Sequence, residues 1–335
     1  SVIVFLYNNK NITIKYLCLC VLAMTFLSAC GTGDNEVGSS SAASAKSSIC
    51  LESSCGQKVA IVDIPSAENL LFTKDGRLFV TGANVYEITR RADAWHAQPL
   101  MLVNGNFTGL AQINDVLYVN SFDGLLYAAK LTSTPSFELI HDQGQMLANG
   151  LASGPNGELY SIISLGVGLP LVGKIVRLRI DASNPFDVTE QVDWYMGGVV
   201  HFMNGLQQRG GEVWFSSSEL LPLALGKIMS VPIQADGSAG NPKLVAQFNG
   251  IPDDFSFVDN DLLVTVYSNN QILRINPQGK TVSKSGLLSF DNPSQVRQGQ
   301  PPMFRQNELV ITEKGLIGLP PTPGYGNRLS TFTPR

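Results

Sequence analysis

The chain has 335 residues, 44% of them hydrophobic and only 15% charged, with 32 Gly and 18 Pro. That balance belongs to a turn-rich globular protein and excludes a disordered one. Its 23 basic against 27 acidic residues give a net charge of −4, which offers no footprint for nucleic acid, and three His are too few to favour a zinc site.

In chain order, Lys10 and Lys15 precede an apolar run from Tyr16 to Ala29. The run is short of the roughly 20 residues that span a bilayer but suits a signal peptide, so residues 1–29 are read as one. It ends in Leu27-Ser28-Ala29-Cys30, which resembles the lipobox of bacterial lipoproteins. The resemblance implies cleavage before Cys30 and a lipid on its sulfur. With Gly31 next, it also implies an outer-membrane anchor on the periplasmic side. Residues 30–56 then form a tether, rich in Ser, Ala and Gly and too poor in large apolar residues to fold alone. Once Cys18 and Cys20 are cleaved off and Cys30 is lipidated, Cys50 and Cys55 remain as an even pair in an oxidising compartment. A disulfide between them is expected, pinning the tether where it enters the folded domain, residues 57–335.

That domain begins with a strand at Lys58–Ile64 and then repeats one pattern six times. The repeats start at anchors Glu68, Thr108, Asn149, Asn204, Asp253 and Ser294, at intervals of 40, 41, 55, 49 and 41 residues. Nine or ten residues after each of the first five anchors comes a strand core such as Leu117-Tyr118-Val119 or Leu262-Leu263-Val264, and a third strand such as Ile272–Ile275 follows. Outer strands are expected at Gln98–Val103, Phe137–His141, Val188–Tyr195, Lys243–Phe248 and Val282–Ser289. A period in the forties with three to four strands per unit is the pattern of β-propeller blades. The fold class is therefore all-β, a six-bladed β-propeller. The sixth unit lacks an outer strand and the first strand has no unit, so pairing the two closes the ring without a free edge.

In such a ring the loops entering the innermost strands open on one face, around the central channel, and bring the six anchors together. Glu68, Asn149, Asn204 and Asp253 offer two carboxylates and two amide carbonyls, hard ligands that suit Ca²⁺. Thr108 and Ser294, with Asp254, occupy the same mouth as substrate-contact positions, and the first two also suit strand-entry caps. Asn-Gly and Pro-Asp are ordinary loop dipeptides taken singly; four oxygen-bearing anchors in register favour a metal site.

Ser66-Ala67-Glu68, Asn149-Gly150-Leu151, Asn204-Gly205-Leu206 and Pro252-Asp253 together resemble the senescence marker protein/gluconolactonase family of six-bladed propellers, and more distantly the paraoxonases. The resemblance runs from about Lys58 to the C-terminus. It implies one divalent cation held by Glu68, Asn149, Asn204 and Asp253, with Asp253 also the general base of lactone hydrolysis. The departures are Asn69-Leu70 after the Glu and Asp254 after the Asp, where the family has Gly-Pro and Gly. His201, three residues before Asn204, suits a proton shuttle. Apolar stretches at residues 165–173 and 220–226 are placed on the same rim, as a lid over a hydrophobic substrate, a membrane contact or mutual packing. Two functions stay open: a metal-dependent lactone or ester hydrolase on a lipid-anchored monomer, and a non-catalytic propeller that binds a ligand or protein.

Overall fold

In a computed structural model, the described residues are 49–144, 147–165, 172–199, 201–219, 224–317 and 322–335. Among them lie 24 strands. The first, β1 (Gly56–Asp63), precedes the blades. Blade 1 holds β2 (Leu70–Phe72), β3 (Leu78–Thr81), β4 (Val85–Arg91) and β5 (Ala94–Pro99). Blade 2 holds β6 (Phe107–Ile113), β7 (Val116–Ser121), β8 (Leu125–Lys130) and β9 (Glu138–Asp142). Blade 3 holds β10 (Leu147–Ser153), β11 (Glu158–Leu165), β12 (Val172–Ile180) and β13 (Val188–Val199). In blade 4 these are β14 (His201–Arg209), β15 (Glu212–Glu219), β16 (Leu225–Pro232) and β17 (Lys243–Asn249). In blade 5 they are β18 (Pro252–Val258), β19 (Asp261–Val266), β20 (Gln271–Ile275) and β21 (Thr281–Lys284). Blade 6 has β22 (Pro293–Gln298), β23 (Leu309–Glu313) and β24 (Arg328–Pro334).

Each blade is an antiparallel meander, and a single parallel pair, Val172 with His201, links the sheets of blades 3 and 4. The sixth sheet runs β1-β24-β23-β22, with Gly56 opposite Pro334 and Asp63 opposite Arg328. The expected closure of the ring by the N-terminal strand is what the structure shows. Two outer strands move: that of blade 1 is Ala94–Pro99, not Gln98–Val103, and that of blade 5 is Thr281–Lys284, not Val282–Ser289. Ala92, at φ 52°, turns the chain tightly between β4 and β5, so pairing starts at once with Arg91 against Ala94.

The burial pattern follows from the radial stacking of blades. The second strands β3, β7 and β19 are buried at every position, because a blade covers each of their faces. Outer strands such as β5 alternate between exposed and half-buried. The apolar core therefore lies between blades rather than within one. Tyr118, Leu126, Leu159 and Val176 pack blade 2 on blade 3, and Ile228, Phe255, Val264 and Leu273 pack blade 4 on blade 5. Full burial of each such side chain contributes about 1.5–3 kcal/mol. The Cys50–Cys55 disulfide forms, with Cα atoms 5.8 Å apart, and Ile49, Cys50 and Leu51 pack against Phe290 and Phe332 beside the closing sheet. Cys30, the signal peptide and most of the tether fall outside the described residues.

Candidate functional site

The inner strands break register at their anchors. The pairing shifts between Phe107 and Leu110, Ala148 and Leu151, Met203 and Leu206, Pro252 and Phe255, and Pro293 and Gln295. The residues in the gaps are Thr108-Gly109, Asn149-Gly150, Asn204-Gly205, Asp253-Asp254 and Ser294. A β-bulge re-aims a side chain that regular alternation would send elsewhere, and blades 2 to 6 each use one at the anchor, while Glu68 of blade 1 precedes the regularly paired β2.

A side chain from the second strand of one blade then ties it to the anchor carbonyl of the next. Thr81 Oγ1 donates to Thr108 O (2.6 Å), Asn120 Nδ2 to Asn149 O (3.0 Å), Thr265 Oγ1 to Ser294 O (2.7 Å) and Ser216 Oγ to Asp253 O. Thr312 Oγ1 donates to Glu68 O and carries the circuit from blade 6 back to blade 1. These hydroxyls and the Asn120 amide are buried, so the rim of the hub is held by satisfied polar groups.

Within that rim, Ser294 Oγ lies 2.7 Å from Asp253 Oδ2 and 3.3 Å from Glu68 Oε2. The carboxylates of blades 5 and 1, far apart in the chain, thus meet at one hydroxyl. Both residues are buried, at 5% and 2% exposure. The ammonium of Lys314 donates to Glu68 Oε2 as an ion pair. Lys314 directly follows β23. It is placed there by its own N–H, which bonds Asn292 O (3.1 Å), and by Gly315, whose carbonyl accepts from Tyr267 Oη (2.6 Å). Gly315, at φ 79°, makes the left-handed turn that follows the lysine.

The protonation of this cluster is set by burial and by its own charges. Burial and the neighbouring Glu68 push the Asp253 carboxyl well above the ordinary range; Lys314 and Ser294 offset part of the rise. Burial works against the charge of Lys314, but Glu68 and Asp253 outweigh it and leave its pKa raised. Burial raises the Tyr267 hydroxyl as well, with Asp253 adding to the effect.

Asp254 belongs to a different layer. Its carboxylate accepts from Asn69 Nδ2, Gln295 Nε2 (2.7 Å), Gln207 Nε2 (3.4 Å) and its own following N–H of Phe255 (2.6 Å). Burial still raises its pKa to about 6 against those donors and the Arg297 guanidinium. It is therefore a structural acid, not a substrate contact, because its oxygens are already spent. Thr108 is likewise spent as a staple, its Oγ1 donating to Ala148 O (3.1 Å). Ser294 alone of the three expected substrate contacts lies in the cluster. Asn149 is buried and Asn204 half-buried, and among the described residues neither side-chain amide makes a hydrogen bond. The His201 side chain and most of the two apolar stretches fall outside the described residues.

The hard oxygen donors expected for Ca²⁺ are present, but their charge is already balanced. Lys314 holds Glu68 and acts on Asp253, and no group of three His, Cys, Asp or Glu side chains gathers for a metal among the described residues. The Lys314 ammonium fills the side of Glu68 that a cation would take. The residues as arranged do not fit a divalent cation. Lys314 and the Tyr267–Gly315 brace are the hub residues that sequence reasoning missed.

No family profile matches the sequence, and neither does any curated protein. Among solved structures the chain is similar to the calcium-binding protein regucalcin from Agrobacterium tumefaciens strain C58, with a TM-score of 0.58, 14% identity, and 81% of this chain and 90% of that one covered. The likeness is one of fold. It agrees, at that level, with the resemblance read from the sequence. The PQQ-bound aldose sugar dehydrogenase from Streptomyces coelicolor is nearly as similar (TM-score 0.56, 14% identity, 84% and 98% covered). So is virginiamycin B lyase from Staphylococcus aureus (TM-score 0.52, 11% identity, 83% and 98% covered). The three carry different names and activities on one scaffold, so the choice among functions rests on the site.

Proposed function

We propose that the hub is a hydrolytic site for a small lactone or related ester, in which the Lys314 ammonium supplies the positive charge otherwise brought by a cation. The observation that carries this reading is one ammonium facing two buried carboxylates, one of which binds its proton unusually tightly. Asp253, buried beside the attacking position, is the carboxylate that takes a proton from water. The water oxygen attacks the carbonyl carbon and Lys314 N–H stabilises the oxyanion. The ring C–O bond then breaks, and the leaving oxygen takes the proton back from Asp253. Attachment to the outer membrane through a lipid on Cys30 belongs to the same proposal and rests on Leu27-Ser28-Ala29-Cys30 alone.

Turnover of a lactone and ester panel by chelator-treated protein tests the reading. Wild type is expected to hydrolyse at least one member without added Ca²⁺, and Lys314→Met and Asp253→Asn to lose at least about a hundredfold in kcat/KM. Turnover that appears only with Ca²⁺ would return the site to the calcium-dependent mechanism expected from the sequence. A second reading, a non-catalytic propeller that binds an apolar ligand, is favoured by one feature. Leu102, Val103, Leu287, Leu288, Leu316 and Ile317 are exposed in loops on the face where the anchors gather. Binding of a hydrophobic probe with no turnover across the panel would select it.

A further inference from the structure

The inner strands of blades 5 and 6 bear polar chemistry at both ends, and the hub uses only one of them. Ser256 lies about 10 Å along β18 from Asp253 at ordinary strand rise. Arg297 and Gln298 end β22 in the same way. With Phe257, Gln300 and Gln306, they line a cavity of about 380 Å³ beyond the ends of the strands that start at the hub. The Asp254 layer separates this cavity from the Lys314 cluster.

Its chemistry is that of an anion site. Arg297 gives Nε to Leu70 O (2.8 Å) and Nη2 to Gln207 Oε1 (3.3 Å), both neutral acceptors. Among the described residues no carboxylate lies within ion-pair distance of it; Asp254 acts on its charge only from further away. No acidic side chain lines the cavity. Behind its aromatic wall the Arg209 guanidinium lies 4.8 Å from the centre of the Phe257 ring. The independent sign of a missing ligand is Ser256, which lines the cavity, is 3% exposed, and has a hydroxyl with no hydrogen-bond partner. Buried hydroxyls are mostly paired, and a vacant one beside an arginine whose nearest acid, Asp254, stands beyond ion-pair distance is matched by an oxyanion.

We propose that this cavity binds a small molecule bearing a carboxylate or phosphate, its anionic oxygens taking Arg297 and the Ser256 hydroxyl, with the Gln300 and Gln306 amides available to its polar substituents. The volume suits a ligand of that size. The proposal is independent of hydrolysis at the hub.

Calorimetric titration of the purified chain with inorganic phosphate, and separately with acetate, tests it at low ionic strength. Saturable binding of either probe in the millimolar range is expected, and the one that binds identifies the headgroup. Ser256→Ala removes a hydroxyl that bonds to nothing, so its thermal midpoint should hold while binding weakens about tenfold. Arg297→Lys should weaken it further. Absence of saturable heat with both probes would overturn the proposal. So would binding that survives Ser256→Ala and Arg297→Lys intact.

Discussion

On one side of the hub the residue after each anchor is glycine: Gly109, Gly150 and Gly205. On the other it is Asn69, Asp254 or Gln295. The glycines let backbones touch. A Cβ at Gly150 would lie 2.5 Å from Asn204 O, and one at Gly205 would lie 2.6 Å from the Asp254 Cα. Across the axis, long polar side chains fill the space instead, and they bring charges that need balancing: Glu68, Asp253 and Asp254 against Lys314 and Arg297. One half of the ring is thus limited by space, the other by electrostatics. The bulges of blades 2 to 6 occur in both halves, because a bulge fixes only where its residues point.

The largest expected effect breaks the electrostatic half. Lys314→Met leaves two buried carboxylates without a counter-charge and should lower stability at pH 7 by about 3–5 kcal/mol in urea unfolding. Acid should return part of that loss by protonating them. If removing the lysine costs nothing, the charged half is not held by charge. Next comes the steric half. Gly205→Ala should cost about 1–3 kcal/mol by overpacking, and pairing it with Asp254→Gly should recover part, since Asp254 is the neighbour displaced.

The smallest effect is a pH dependence. In the folded protein Asp254 binds its proton more tightly than in the unfolded chain, with a pKa of about 6 against an ordinary 3.8. Protonation therefore favours folding, and stability should rise as pH falls from 7 through 6 towards 4. The thermal midpoint is expected to increase by a few degrees between pH 7 and pH 5. Asp254→Asn should flatten that rise in part, the remainder belonging to Asp253, which is shifted in the same direction. A midpoint that falls on acidification in wild type would contradict the burial of these acids.

The hub was legible in the sequence because its anchors recur on the blade period, and a period survives without any knowledge of packing. The hydroxyl staples were legible in principle too: Asn120, Ser216 and Thr265 each stand twelve residues after their anchors, and Thr81 thirteen after Glu68. Lys314 was not. Blade 6 has a long connection between β22 and β23, which puts Thr312 eighteen residues after Ser294 and shifts everything behind it out of register with the other units. A lysine after a buried strand reads as an exposed end, and only the ring geometry brings it over Glu68. Asp254 misled for a related reason. Adjacent carboxylates look like one acidic site, but neighbouring strand residues point apart, and the bulge sends the second into a layer of its own with Asn69, Gln207 and Gln295.

Because β24 lies between β1 and β23, the opening strand of the domain has nothing to pair with until residues 328–334 have left the ribosome. Five blades can assemble during synthesis, yet the last gap is sealed only once β24 has been made. Glu313, fully buried beneath Lys58 and Arg328, is neutralised at that same late moment. A nascent or shortened chain would expose the bare edges of β1 and β23 together with an unmatched acid. Quality-control proteases and chaperones have a simple mark there by which to tell an open ring from a shut one.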